Sequence, residues 1–106
     1  MKTYEIAKLL NAKIVLMPEP DREIEGGYCG DFLSFVMGRA PENCAWFTIM
    51  NNANVAAVAA LTDIGVIVLC ENVQPDESLK KAVINKNLSL IITELPIFEA
   101  ARKLEV

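Results

Sequence analysis

Gly65-Val66-Ile67-Val68-Leu69-Cys70 is a glycine followed by five apolar residues with no charge among them. The run is too short for a buried helix and does not alternate with polar residues. It reads as a strand covered on both faces, the pattern of an inner strand in a parallel sheet. Its neighbours repeat the unit. Upstream, Cys44-Ala45-Trp46-Phe47-Thr48-Ile49-Met50 reads as a strand, Asn51-Asn52-Ala53-Asn54 as a turn, and residues 55–61 as a helix of Val, Ala and Leu with Asn54 as its N-cap. Small apolar residues all round that helix imply packing on both of its sides. Downstream, Pro75 opens a helix with Asp76 and Glu77 in its first turn and Lys80, Lys81 and Lys86 further along, which suits the helix dipole. Leu88-Ser89-Leu90-Ile91-Ile92 is a third strand. Pro96 starts a last helix through Leu104, with Glu99 and Lys103 as an i,i+4 pair.

Three strand–helix units with right-handed crossovers predict an α/β fold: a mainly parallel sheet covered by helices on both faces, a three-layer sandwich. The amino-terminal part adds a helix over residues 3–10, with Thr3 as N-cap and Ile6, Leu9 and Leu10 on one face, then a strand over residues 13–17. Pro18-Glu19-Pro20-Asp21 breaks regular structure. Gly26, Gly27 and Gly30 predict a polar loop that turns sharply or approaches another group closely. Asp31 is placed to cap a helix carrying Phe32, Leu33, Phe35, Val36 and Met37, with Gly38 near its end and Pro41 beyond.

Bulk composition narrows the function. The 106 residues fit one domain, residues 1–106, with a modest core that a second copy would help to cover. Net charge is −4, and the ten Lys and Arg are scattered, so no basic surface for nucleic acid is expected. No run approaches a membrane span and no signal-peptide pattern opens the chain, so the expectation is a cytoplasmic protein without membrane contact. Three cysteines, no C-x-x-C and no histidine predict reduced thiols, no metal site and no cofactor. No phosphate loop of the G-x-x-x-x-G-K-[ST] type is present. Cys29 is the one thiol expected to be exposed, and no base adjoins it in sequence to activate it. No catalytic residue is assigned, and the chain is read as a non-enzyme.

Ligands of open α/β sheets gather beyond the carboxyl ends of the strands, beside helix N-termini. Candidate ligand-binding residues are therefore Asn51, Asn52 and Asn54 after the first strand of the repeat. Glu71 and Asn72 follow the second, Thr93 and Glu94 the third, and Gly30 and Asp31 come from the glycine segment. Asn54 and Asp31 are first explained as caps; Asn51 and Asn52 are read evenly as turn residues or as ligand contacts, since neither is needed as a cap if Asn54 serves. Glu71, Asp76, Glu77 and Glu94 are not brought together by spacing alone.

Gly30-Asp31-Phe32-Leu33-Ser34-Phe35-Val36-Met37 after Gly26-Gly27, then Trp46-Phe47-Thr48-Ile49, Asn54-Val55-Ala56-Ala57-Val58-Ala59, Gln74-Pro75-Asp76-Glu77 and Thr93-Glu94-Leu95-Pro96-Ile97-Phe98-Glu99-Ala100-Ala101 resemble, in order and spacing, the DRTGG domain family. The resemblance is closest to stand-alone members related to the HPr kinase N-terminal domain. It implies a fold like the N-terminal domains of HPr kinase and Mur ligases. It also implies an accessory role, since family domains are attached to phosphate acetyltransferases and to CBS-containing pyrophosphatases, and a tendency to dimerise. Kinase activity is not implied, because the phosphate loop of HPr kinase lies in its other domain. The family's Asp-Arg pair aligns with Asn51-Asn52 and its Thr-Gly-Gly with Cys70-Glu71-Asn72, so the acidic–basic pair and both glycines are absent here. The expectation is a non-catalytic regulatory domain that binds a small anionic or adenine-nucleotide ligand at the strand ends. The alternative is a dimerising interaction module that docks a partner enzyme with no ligand.

Overall fold

The run that decides the fold is the central strand of a five-stranded sheet. The computed structural model describes residues Met1–Val106. In chain order its elements are α1 (Thr3–Leu9), β1 (Lys13–Leu16), β2 (Gly26–Cys29), α2 (Leu33–Arg39), β3 (Cys44–Thr48), α3 (Ala53–Leu61), β4 (Val66–Leu69), α4 (Glu77–Lys86), β5 (Leu90–Ile92) and α5 (Ile97–Ala101). The sheet order is β1-β5-β4-β3-β2. β2, β3, β4 and β5 run parallel, and β1 closes the other edge antiparallel to β5.

Alternation along the inner strands divides the core in two. Cys44, Trp46, Ile67, Leu69, Leu90 and Ile92 face a layer made by α2, α3 and α4, where Val36, Val55, Ala59, Leu79 and Val83 meet them. Ala45, Phe47, Val66, Val68, Cys70 and Ile91 face Ile6, Ala7 and Leu10 of the α1 segment and Ala100 of α5. The result is the expected three-layer α/β sandwich. No helix is long and apolar enough to cross a membrane.

Several local expectations are corrected. The glycine segment is the edge strand β2, and none of its glycines has positive φ. Left-handed positions are filled instead by Asn11, Asn43, Asp63, Glu71, Asn72 and Asn87. The glycine that sterics demand is Gly65, where a Cβ would run into Ile24 Cδ1 and stand 3.3 Å from the Asn43 backbone.

Asn52, not Asn54, caps α3, its Oδ1 accepting from the Asn54 N–H at 2.9 Å. Lys2, not Thr3, is the N-cap of α1; the Thr3 hydroxyl donates to Asp21 Oδ1 across the following loop. α5 ends at Ala101, so Lys103 lies past it and Glu99 meets Arg102 at 3.5 Å. α3 is flanked by α2 and α4, but only its inner side is enclosed. Leu61 is 74% exposed, and Ala57 and Ala60 also face water.

Candidate functional site

Parallel strands end on the same side of a sheet, and here hydrogen bonds tie those ends into one rim. The Cys70 N–H donates to Thr48 O at 3.0 Å, joining the exits of β3 and β4. The Asn72 N–H donates to Thr93 O at 2.8 Å and the Glu71 N–H to Leu95 O at 2.9 Å, joining β4 to the turn after β5. Asn51 Nδ2 donates to Gln74 O at 2.8 Å. The Asp76 N–H donates to Asn51 O at 3.0 Å. Asn51, Asn52, Glu71, Asn72, Thr93 and Glu94 therefore share one edge, with Gly30 and Asp31 at its β2 end.

Not all of these side chains are free to meet a ligand. Asp31 does not cap α2, whose N-cap is Phe32 with no side-chain bond. Its Oδ1 accepts from Thr48 Oγ1 at 2.6 Å and from the Ile49 N–H at 2.9 Å, so it clasps the end of β3. Gly30 is used by its backbone: its N–H donates to Phe47 O at 3.1 Å and its carbonyl accepts from Trp46 Nε1 at 2.9 Å. Thr93 is buried, donating from Oγ1 to Leu10 O at 3.1 Å. These three residues build the rim and do not line it.

The remaining groups face solvent. Asn51 Oδ1, Asn52 Nδ2 and Asn72 Nδ2 make no hydrogen bond within the chain, because each amide uses its other end. Glu71 and Glu94 are exposed, and so is Asn54 in the first turn of α3. Glu71 and Asn72 both adopt left-handed backbone, with φ of 59° and 57°. Glycine enters that region without strain, whereas Glu enters it at a cost.

Open helix N-termini were expected to offer N–H groups to an anion, and at α3 the structure corrects this. The Ala53 N–H donates to Ser78 Oγ at 3.1 Å, the Asn54 N–H to Asn52 Oδ1, and the Val55 N–H to Asn52 O at 3.0 Å. At α4 the Asp76 carboxylate already sits on the Leu79 N–H at 2.8 Å and accepts from Ser78 Oγ at 2.6 Å. The Ser78 hydroxyl first, and then the Leu79 N–H, lower the Asp76 pKa. Sequence reading placed Asp76 in the first turn and passed over Ser78. The Asp-x-Ser pattern after Pro75 was the available signal.

Two clefts lie near the ends of the strands. One of about 220 Å³ adjoins the rim, between Leu10, Asn11, Thr93, Leu95 and Lys103. A larger one of about 290 Å³ opens at the amino ends, between Pro20, Arg22, Gly65 and Ser89. No cleft is lined by Asn51, Asn52, Glu71 or Asn72. No cluster of three or more Cys, Asp and Glu is arranged to hold a metal ion. Burial raises the Cys29 pKa, and pushes Cys44 to about 11 and Cys70 to about 12, so all three thiols are held protonated at neutral pH.

No protein-family model and no curated protein matches the chain. Among solved structures, it is similar to the CBS and DRTGG domains of the regulatory region of Clostridium perfringens pyrophosphatase, a complex with the activator diadenosine tetraphosphate. The TM-score is 0.75 at 14% identity. The match covers 94% of this chain but only 44% of the other. At that identity the likeness establishes a shared fold, the one that the sequence resemblance implied.

Proposed function

We propose that this chain is a non-catalytic regulatory domain of the DRTGG type. Its ligand, of the adenine-nucleotide class, docks on the rim at the carboxyl ends of β3, β4 and β5. The observation that carries the reading is the set of unoccupied amide ends, Asn51 Oδ1, Asn52 Nδ2 and Asn72 Nδ2, on an edge shared by three strand exits. Amide donors and acceptors side by side suit the polar edge of a base. The left-handed Glu71 and Asn72 support the family reading, since they stand where the family has its glycine pair. The regulatory role is supported by the similar pyrophosphatase region, whose activator is an adenine dinucleotide.

The electrostatics refine the class. Glu71, Asp76, Glu77 and Glu94 are exposed at this end, with Lys80 and Lys103 the nearby cations. Carboxylates repel phosphates, so base and sugar face the rim and the phosphates point to solvent. Adenosine then binds about as well as ATP. Thermal unfolding with millimolar adenosine, AMP and ATP tests this, because a ligand of the folded state must raise the melting temperature. Asn72→Ala and Asn52→Ser, which keeps a capping oxygen, remove the shift. A shift that both variants retain places the ligand elsewhere.

A second reading, an interaction module in a cytoplasmic regulatory assembly, is favoured by Phe32 and Phe35, which are 61% and 46% exposed. The absence of any nucleotide-dependent shift leaves that reading standing alone.

A further inference from the structure

Four polar residues are buried in the fold: Thr3, Thr48, Ser89 and Thr93. Three have partners for their hydroxyls: Thr3 with Asp21, Thr48 with Asp31, and Thr93 with the Leu10 carbonyl. Ser89, 9% exposed at the entrance of β5, has none. Its carbonyl accepts from the Ile67 N–H at 3.0 Å, but neither its N–H nor its Oγ makes a hydrogen bond within the chain. Every fully enclosed side-chain oxygen and nitrogen has a partner, so the Ser89 hydroxyl opens into the cleft that the residue lines. Buried polar groups are paired as a rule, and an unpaired one points to a missing partner.

That cleft lies at the amino ends of β4 and β5, the opposite end of the sheet from the rim. At about 290 Å³ it stands at the foot of the range for small-molecule sites, roughly 300–1,000 Å³, and suits a small metabolite. Three connections wall it: β1 to β2, α3 to β4, and α4 to β5. Arg22 is fixed in the wall. Its Nη1 donates to Ile64 O at 3.3 Å, and its Nη2 to Asn43 Oδ1 and, at 3.3 Å, to Asp63 Oδ1. A guanidinium has five N–H donors, so two remain for a ligand. Glu19, exposed on the same connection, has no ion-pair partner.

Charges of both signs decide what fits. A simple anion gains Arg22 but meets Glu19, with Asp63 behind the guanidinium. A simple cation gains Glu19 but meets Arg22. A molecule that carries one charge of each sign meets an opposite charge at both ends.

We propose that this cleft binds a free α-amino acid with an apolar side chain. The carboxylate takes the Ser89 hydroxyl and N–H and the spare donors of Arg22. The ammonium group takes the Glu19 carboxylate, and the side chain lies against Ile64, Leu88 and Pro18. The site is independent of the rim, so either assignment can fail alone.

Amide-resolved NMR titration of the whole chain with each common L-amino acid at millimolar concentration tests the proposal. The expected result is that an aliphatic one moves the signals of Arg22, Gly65 and Ser89 and leaves those of Asn52 and Asn72 in place. Its two halves are the controls. For leucine, 4-methylpentanoate lacks the ammonium group and 3-methylbutylamine lacks the carboxylate; each binds at least about tenfold more weakly. Ser89→Ala deletes a hydroxyl that holds nothing in the fold, and Glu19→Gln removes an exposed charge. Each weakens binding about tenfold, while the melting temperature without ligand stays unchanged. Should Ser89→Ala fail to fold, Glu19→Gln decides. The proposal is overturned if no amino acid moves the cleft signals, if either half binds as tightly as the whole, or if Glu19→Gln leaves the affinity intact.

Discussion

Asn51 and Asp76 fasten the entrances of α3 and α4 to each other: the Asp76 N–H donates to the Asn51 carbonyl at 3.0 Å, and Asn51 Nδ2 reaches Gln74 O at 2.8 Å. Replacing Asn51 with Ala keeps the first bond and loses the second. The expected loss of stability is about 1 kcal/mol, the usual net worth of one hydrogen bond, measured by urea unfolding. No change would mean that the Gln74 carbonyl is satisfied by water instead.

Asp76 gives the rim a pH dependence whose sign follows from its lowered pKa. A carboxylate depressed by folding stabilises the native state above its unfolded pKa, and the benefit disappears as pH falls through the folded value. Stability should therefore decline on acidification below the usual carboxylate range. In Asp76→Asn that part of the decline should be absent. Paired melting curves at neutral and acidic pH show whether the slope is reduced.

Gly65 and Glu71 make opposite predictions. Gly65→Ala pushes a methyl group into Ile24 and the Asn43 backbone, and the expected cost is about 1–3 kcal/mol for overpacking. Glu71→Gly releases a left-handed non-glycine residue and should stabilise by up to about 1 kcal/mol. Chemical denaturation of the two variants should move the midpoint in opposite directions.

The thiols divide by burial. Cys29 is exposed, whereas Cys44 and Cys70 are buried. One equivalent of alkylating reagent should label Cys29 alone, more slowly than a free thiol because its pKa is raised. Fast labelling of all three in native protein would contradict the core assignment.

The legible parts of the fold were those where one physical signal dominates. β4 is a continuous apolar run and β3 and β5 are nearly so, broken only by Thr48 and by Ser89 at their ends, which is the signature of strands buried on both faces. β2 was not legible, because glycine signals a turn, and its place is fixed by pairing with β3 through backbone that carries no sequence signal. Asn52 and Asn54 are equally good caps by type, and the start of the helix decides between them. Asp31 looked like a cap because its partners, Thr48 and the Ile49 N–H, lie 17 and 18 residues away. The rim followed from topology alone, since parallel strands end together. Which of its amides remain free depends on side-chain hydrogen bonds that spacing does not encode.

The most direct test of the account is an amide-resolved NMR titration of the whole chain with adenosine and with ATP. The account predicts that both shift the signals of Asn51, Asn52, Glu71 and Asn72, with similar affinities and little dependence on salt. Unmoved rim signals at millimolar ligand, or shifts confined to the cleft beside Arg22 and Ser89, would contradict it.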